Sequence, residues 1–185
     1  MSTPAAVTAT HYDIDSAHSS AQFKVRHLMI SNVKGEFTKV SGFAEFDPSK
    51  PQGASIETTI DAASISTREP QRDEHLKSAD FLDVTKYPTI TFQSKKIVPD
   101  GKDSYEALGD LTIRGVTREV KLLIDSVTPE AKDPWGFFRR GATATTSINR
   151  KDFGLVWNVG LETGGFMVGD EVHITIDVEL VRKAE

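Results

Sequence analysis

The chain has 185 residues, 38% hydrophobic and 26% charged, which fits one globular domain and is too short for two large ones. Its 22 Lys+Arg against 27 Asp+Glu give a net charge of −5 with no basic tract, which argues against nucleic acid as a partner, since that affinity rests on clustered cations. There is no cysteine, so disulfides, thiol nucleophiles, Fe–S clusters and Cys-type zinc sites are excluded.

Residues 1–10 are small and polar, without the basic start and apolar stretch of a secretory signal, and read as a flexible segment ahead of a single domain over 11–183. No apolar run approaches the roughly 18 residues of a membrane span. The expected location is cytoplasmic as the sequence stands, or periplasmic if a leader has been removed. From there the dominant period is two. Ala21, Phe23, Val25 and His27 alternate with Gln22, Lys24 and Arg26, a strand with one wet face. Between Val33 and Phe46 the apolar parity changes from odd to even, which a bulge near Thr38–Lys39 would produce. Ile56, Thr58 and Ile60 resume the alternation.

Residues 66–82 break the pattern. Ser66 or Thr67 would cap a short helix with Pro70 in its first turn, running to about Lys77 and pinned by Leu76 and Phe81 as a lid over one end. The period of two then returns at Ile90 and Phe92, at Gly109, Leu111 and Ile113, and at Val120, Leu122 and Ile124. Ala142, Ala144, Thr146 and Ile148 follow, and Val172 to Leu180 give the cleanest run. Turn signals at 47–53, 99–103 and 114–117 join neighbouring strands. The fold class expected is all-β, an antiparallel eight-stranded barrel with a short helical lid, because closure removes exposed edges. A sandwich is the rival.

Many inward positions are small: Ala21, Gly35, Gly42, Ala44, Ala54, Ala62, Ala107, Gly109, Ala142 and Ala144. Two outcomes stay open. A channel would be lined by Phe23, Phe37, Ile60, Phe92, Leu111, Ile113, Leu122 and Ile148 and suit a long hydrocarbon; alternatively, large residues from other strands fill the gaps. His27 is either a hydrogen-bonded rim histidine or a polar contact for a ligand head group, and His75 on the lid has the same two readings. Arg150, with Asp152, is either a rim brace or the residue to grip an anionic head bidentately. Arg114, in a hairpin turn, is expected to be solvated. His18 beside Asp15 and Ser19 suggests a triad, but residues so close in sequence seldom take that geometry, and the turn reading is preferred. The apolar stretches Trp135–Phe138 and Phe153–Met167, with Trp157, would contact a membrane or a second subunit if exposed. No phosphate-binding loop or histidine metal spacing is present.

Four ordered segments carry a resemblance: Asp15-Ser-Ala-His-Ser19 with Phe23, His27 and Val33–Phe37; Arg72–Phe81 with Tyr87-Pro88; Leu111–Thr117; and Ile148–Gly154. Together, from about Tyr12 to Arg182, they resemble the YceI-like proteins. The resemblance implies a lipocalin-like barrel holding a long isoprenoid or other amphiphilic lipid, such as a polyprenyl phosphate or isoprenoid quinone, for carriage or storage. It implies no catalysis, no cofactor beyond that lipid, and a homodimer. Leu82 stands where the family commonly has a second Phe. Two other functions are kept in view: a filled barrel acting as a dimeric interaction module, and a lipid-modifying enzyme using His18 or His27.

Overall fold

The computed structural model describes residues 9–47, 50 and 53–183; Pro48, Ser49, Pro51 and Gln52 of the expected 47–53 turn, and residues 1–8 of the expected N-terminal segment, lie outside the described residues. The strands of the first half are β1 (Thr10–Ile14), β2 (Ser20–His27), β3 (Ser31–Phe37), β4 (Val40–Phe46), β5 (Ser55–Asp61) and β6 (Ile65–Ser66). A helix, α1 (Pro70–Lys77), leads to β7 (Thr89–Pro99), β8 (Tyr105–Ile113), β9 (Val116–Asp125), β10 (Ala131–Lys132), β11 (Phe137–Asn149) and β12 (Val168–Lys183).

All pairings between these strands are antiparallel. β1 and β2 follow one another along β12, and β4 and β3 lie beside them in turn, so each couple forms one barrel strand. The ring continues through β5, β7, β8 and β9 to β11, and β11 pairs with β12 over thirteen residue pairs from Phe137↔Lys183 to Asn149↔Glu171. The result is a closed eight-stranded barrel in which every strand of the ring has a neighbour on both sides, the β9–β11 contact being the shortest at three residue pairs. The sandwich alternative is thereby set aside.

Three local expectations change. In place of a bulge at Thr38–Lys39 the strand breaks, and the two freed amides donate to Ser64 O (3.3 Å) and Ser64 Oγ (3.2 Å). The inward parity passes from odd in β3 to even in β4 across that break. The helix cap is neither Ser66 nor Thr67 but Glu69, whose carboxylate accepts from the amides of Gln71 and Arg72. Pro70 occupies the first helical position, which leaves the residue before it as the cap. Arg114 is not simply solvated: it donates to Ala79 O (2.7 Å) and Gly154 O (3.1 Å), tying the lid and a later loop to the β8–β9 turn. That turn has two residues, Arg114 and Gly115, both with positive φ (50° and 71°), the form that matches strand twist.

Large and small inward residues interlock across strands. The Phe23 ring covers Gly35 and the Phe92 ring covers Gly109, so closely that a Cβ on either glycine would lie 2.4–2.6 Å from the ring. The filling is therefore real at these two sites.

One cation latches the outside of the closing seam. Arg139 on β11 donates to Asp133 (2.6 Å), to Asp15 (2.7 Å) in the β1–β2 turn, and to Glu179 on β12. The Arg139 guanidinium, and then His18, hold the Asp15 carboxyl at about 2, below its ordinary 3.8. A depressed carboxylate stabilises the fold above its unfolded value and loses that contribution as pH falls through the folded value. Thermal unfolding should accordingly show an acid limb between pH about 4 and about 2. Asp15→Asn should flatten that limb and cost about 1–2 kcal/mol at neutral pH; an unchanged acid limb in the variant would remove Asp15 from it.

Candidate functional site

The interior holds two apolar chambers placed end to end. Thr58, Leu122 and Ile176 border both and form a waist between them. The chamber under the lid measures ≈ 180 Å³ and the one beyond the waist ≈ 340 Å³. Pockets for small ligands run to roughly 300–1,000 Å³, so the far chamber alone reaches that range.

Phe23, Phe37, Ile60, Phe81, Phe92, Leu111, Ile113, Ile148 and Arg150 all border the lid-end chamber, and Leu76 of α1 reaches it from the lid. Ala142 and Ala144 border the far chamber instead, with Leu122 common to both. His27 and His75, the expected head-group contacts, and Trp157 border neither chamber. His27 closes β2 opposite Ser31 and Val168, at the edge of the barrel. His75 pairs with Asp80 (2.8 Å) and sets its ring edge-on against Phe81 and Trp157, centroids 5.1 and 4.7 Å away. These three rings seal the lid against the loop after β11.

Arg150 is 3% exposed. It donates to the carbonyls of Gly169 (2.8 Å), Leu155, Trp157 (2.9 Å) and Val168 (3.3 Å), and its remaining N–H faces Asp170 at 3.5 Å. Burial lowers its pKa from the usual guanidinium value against the pull of Asp170. The geometry is that of a brace, though its carboxylate is Asp170 and not the expected Asp152: every donor of the fork is spent on holding the 155–169 loop shut. Asn158 helps, bonding Val168 through both its amide atoms.

The Asp15–His18–Ser19 group is a turn. His18 Nδ1 meets Asp15 at 3.0 Å, whereas Ser19 Oγ accepts from the Glu179 amide at 3.0 Å and is thus engaged elsewhere. Asp15, His18 and Glu179 converge closely enough to hold an ion, but the Arg139 guanidinium already supplies the positive charge between the two carboxylates.

One interior cation went unread in the sequence. Along β11 the inward positions are even, and they begin with Arg140, which borders the far chamber. Arg140, Ala142, Ala144, Thr146, Ile148 and Arg150 form one stripe with a cation at each end. The signal was parity: Arg140 lies two residues before Ala142.

A family model described as YceI-like domain matches residues 12–180. A UPF0312 protein of Vibrio cholerae is 40% identical over 157 residues, covering 84% of this chain and 82% of its own. Among solved structures, Burkholderia cenocepacia BcnA superposes with a TM-score of 0.76 at 27% identity, over 90% of this chain and 98% of that one. A polyisoprenoid binding domain from Saccharophagus degradans, implicated in plant cell wall breakdown, superposes at 0.66 with 14% identity, over 91% and 97%, a likeness of fold alone.

The brace at Arg150 generates a prediction. Arg150→Met leaves four carbonyls and Asp170 without their cation and should destabilise the protein by about 3 kcal/mol. Amide exchange across 155–169 should quicken with it. A variant as stable as the parent, with that loop equally protected, would contradict the brace.

Proposed function

The chain belongs to the YceI-like family, and on that footing we propose that it binds a long isoprenoid or other amphiphilic lipid inside the barrel, for carriage or storage rather than turnover. The observation that carries this reading is the pair of apolar chambers meeting at the Thr58–Leu122–Ile176 waist. An elongated, dry interior suits a flexible hydrocarbon, each buried methylene contributing about 0.8 kcal/mol. The Saccharophagus degradans domain, described as polyisoprenoid binding, has the same fold and supports the same class of ligand. A polyprenyl phosphate and an isoprenoid quinone both satisfy the apolar requirement. A cytoplasmic setting is part of this proposal and is open to cell fractionation; no helix among the described residues is long and apolar enough to cross a membrane.

A second feature favours association with another copy of the chain. Met29 and Ile30 in the β2–β3 turn are exposed, as are Val156, Val159 and Phe166 in the loop after β11. The two segments are neighbours, since Leu28 N donates to Met167 O (2.8 Å) and Gly165 lies against Met29. Such a patch at the lid end fits the homodimer that the resemblance implies. Transient contact with a membrane is the competing occupant, which co-sedimentation with vesicles would reveal.

The binding reading is tested first by extracting the purified protein with organic solvent and identifying what is released by mass spectrometry. A stoichiometric isoprenoid is the expected result. Ala144→Phe, which fills the far chamber, should abolish its retention while leaving the circular dichroism of the barrel in place. An empty parent that also refuses added lipids would overturn the proposal. For the patch, Ile30→Glu with Val156→Glu should convert a dimer to a monomer in sedimentation velocity.

A further inference from the structure

Resting on the lipid-binding reading, we infer that the ligand is an amphiphile with an anionic, phosphate-type head and that Arg140, not Arg150, holds that head at the mouth of the far chamber. Arg140 opens the inward stripe of β11 and Arg150 follows the strand's last residue, ten residues and so roughly 33 Å further along the chain direction. They differ in what their donors do. Arg150 has none left over, as shown by its four carbonyls and Asp170. Arg140 makes one hydrogen bond of ordinary length, Nη1 to Thr128 O at 3.2 Å, and a long one from Nε to Tyr12 Oη at 3.4 Å. Its Nη2 has no partner among the described residues, and no carboxylate there lies within ion-pair distance of it.

The surroundings hold that guanidinium in place, and Glu130 attracts it without a direct hydrogen bond or ion-pair contact. Its central carbon lies 5.8 and 5.4 Å from the centroids of the stacked rings of Tyr12 and Phe46. The nearby Glu130 is already committed to Arg182, which grips it through two hydrogen bonds of 2.8 and 2.9 Å, and to the Tyr12 hydroxyl. A second carboxylate, Asp103, is exposed and borders the same chamber. A half-buried planar cation with spare donors, at the end of a ≈ 340 Å³ apolar chamber, is the arrangement that recognises a phosphate on a hydrocarbon tail.

The test compares two probes with one tail, geranylgeranyl monophosphate and geranylgeraniol, titrated by calorimetry into delipidated full-length protein. The parent should bind the phosphate about ten-fold more tightly than the alcohol. Arg140→Gln should erase that preference and leave the affinity for the alcohol unchanged. Arg140→Lys, which keeps the charge, should retain most of the preference and guards against a folding artefact in the first variant. Asp103→Asn should tighten the phosphate alone. If Arg140→Gln still prefers the phosphate, or loses both probes equally with its fold intact, the assignment is overturned while the lipid-binding reading stands. A parent that binds neither probe overturns both.

Discussion

The pairing of β11 with β12 is the contact on which the rest depends. Thirteen residue pairs join the first and last edges of the sheet, and once they form every strand of the ring has a neighbour on both sides. A closed ladder also fixes parity: even residues on β9, β11 and β12 must face inward, because a slip of one residue would expose the whole apolar set. Arg139, reaching Asp15, Asp133 and Glu179 from the outer face of the seam, secures the same closure electrostatically. Backbone pairing and the latch thus hold the barrel without calling on the interior to be full.

That independence is what permits empty space. Unfilled apolar volume in a protein costs on the order of 20 cal/mol per Å³, and cores normally repack to avoid it. Here the inward residues of β11 after Arg140 are Ala142, Ala144, Thr146 and Ile148, too small at three of four positions to meet the opposite wall. The aromatic rings that could have closed the gap are used locally, Phe23 on Gly35 and Phe92 on Gly109. A barrel with this inventory gains stability from whatever apolar molecule fits it, so binding and folding are linked.

The strands and the lid were legible because a half-wet strand writes its two faces into alternate residues. β1 was not, since only Tyr12 and Ile14 of its five residues carry an inward signal. The lining was legible wherever it lay on a regular strand, as with Phe92, Leu111 and Ile148. His75 and Trp157 could not be placed that way: both belong to segments without a period of two, and their ring contacts join residues 75 and 157. Arg150 looked like a rim residue because its acceptors are backbone carbonyls 5 to 19 positions further on, which no side-chain pattern records. Arg140 was hidden differently. The run Phe137-Phe-Arg-Arg140 places two aromatics and two cations side by side, so inward and outward positions carry the same chemistry and the alternation vanishes.

The two ends of the barrel are not equivalent, and the waist turns that inequality into a direction. A phosphate carried past Leu122 and Ile176 would shed its water with only the Thr58 hydroxyl nearby, a desolvation cost of several kcal/mol at the least. A charged head would therefore stay at the mouth by which the molecule enters, with its tail passing through the waist first. At the lid end the entrance is closed by α1, the three edge-on and tilted rings and a guanidinium whose donors are occupied. At the other end Arg140 faces the chamber with donors to spare and aromatic rings beneath it. Loading tail-first past Arg140 would leave the apolar chain under the lid and the head on the one interior cation with spare donors among the described residues. Entry from the lid end would require breaking the Arg150 brace for each molecule bound, and it would put the head against carbonyl oxygens, which repel it.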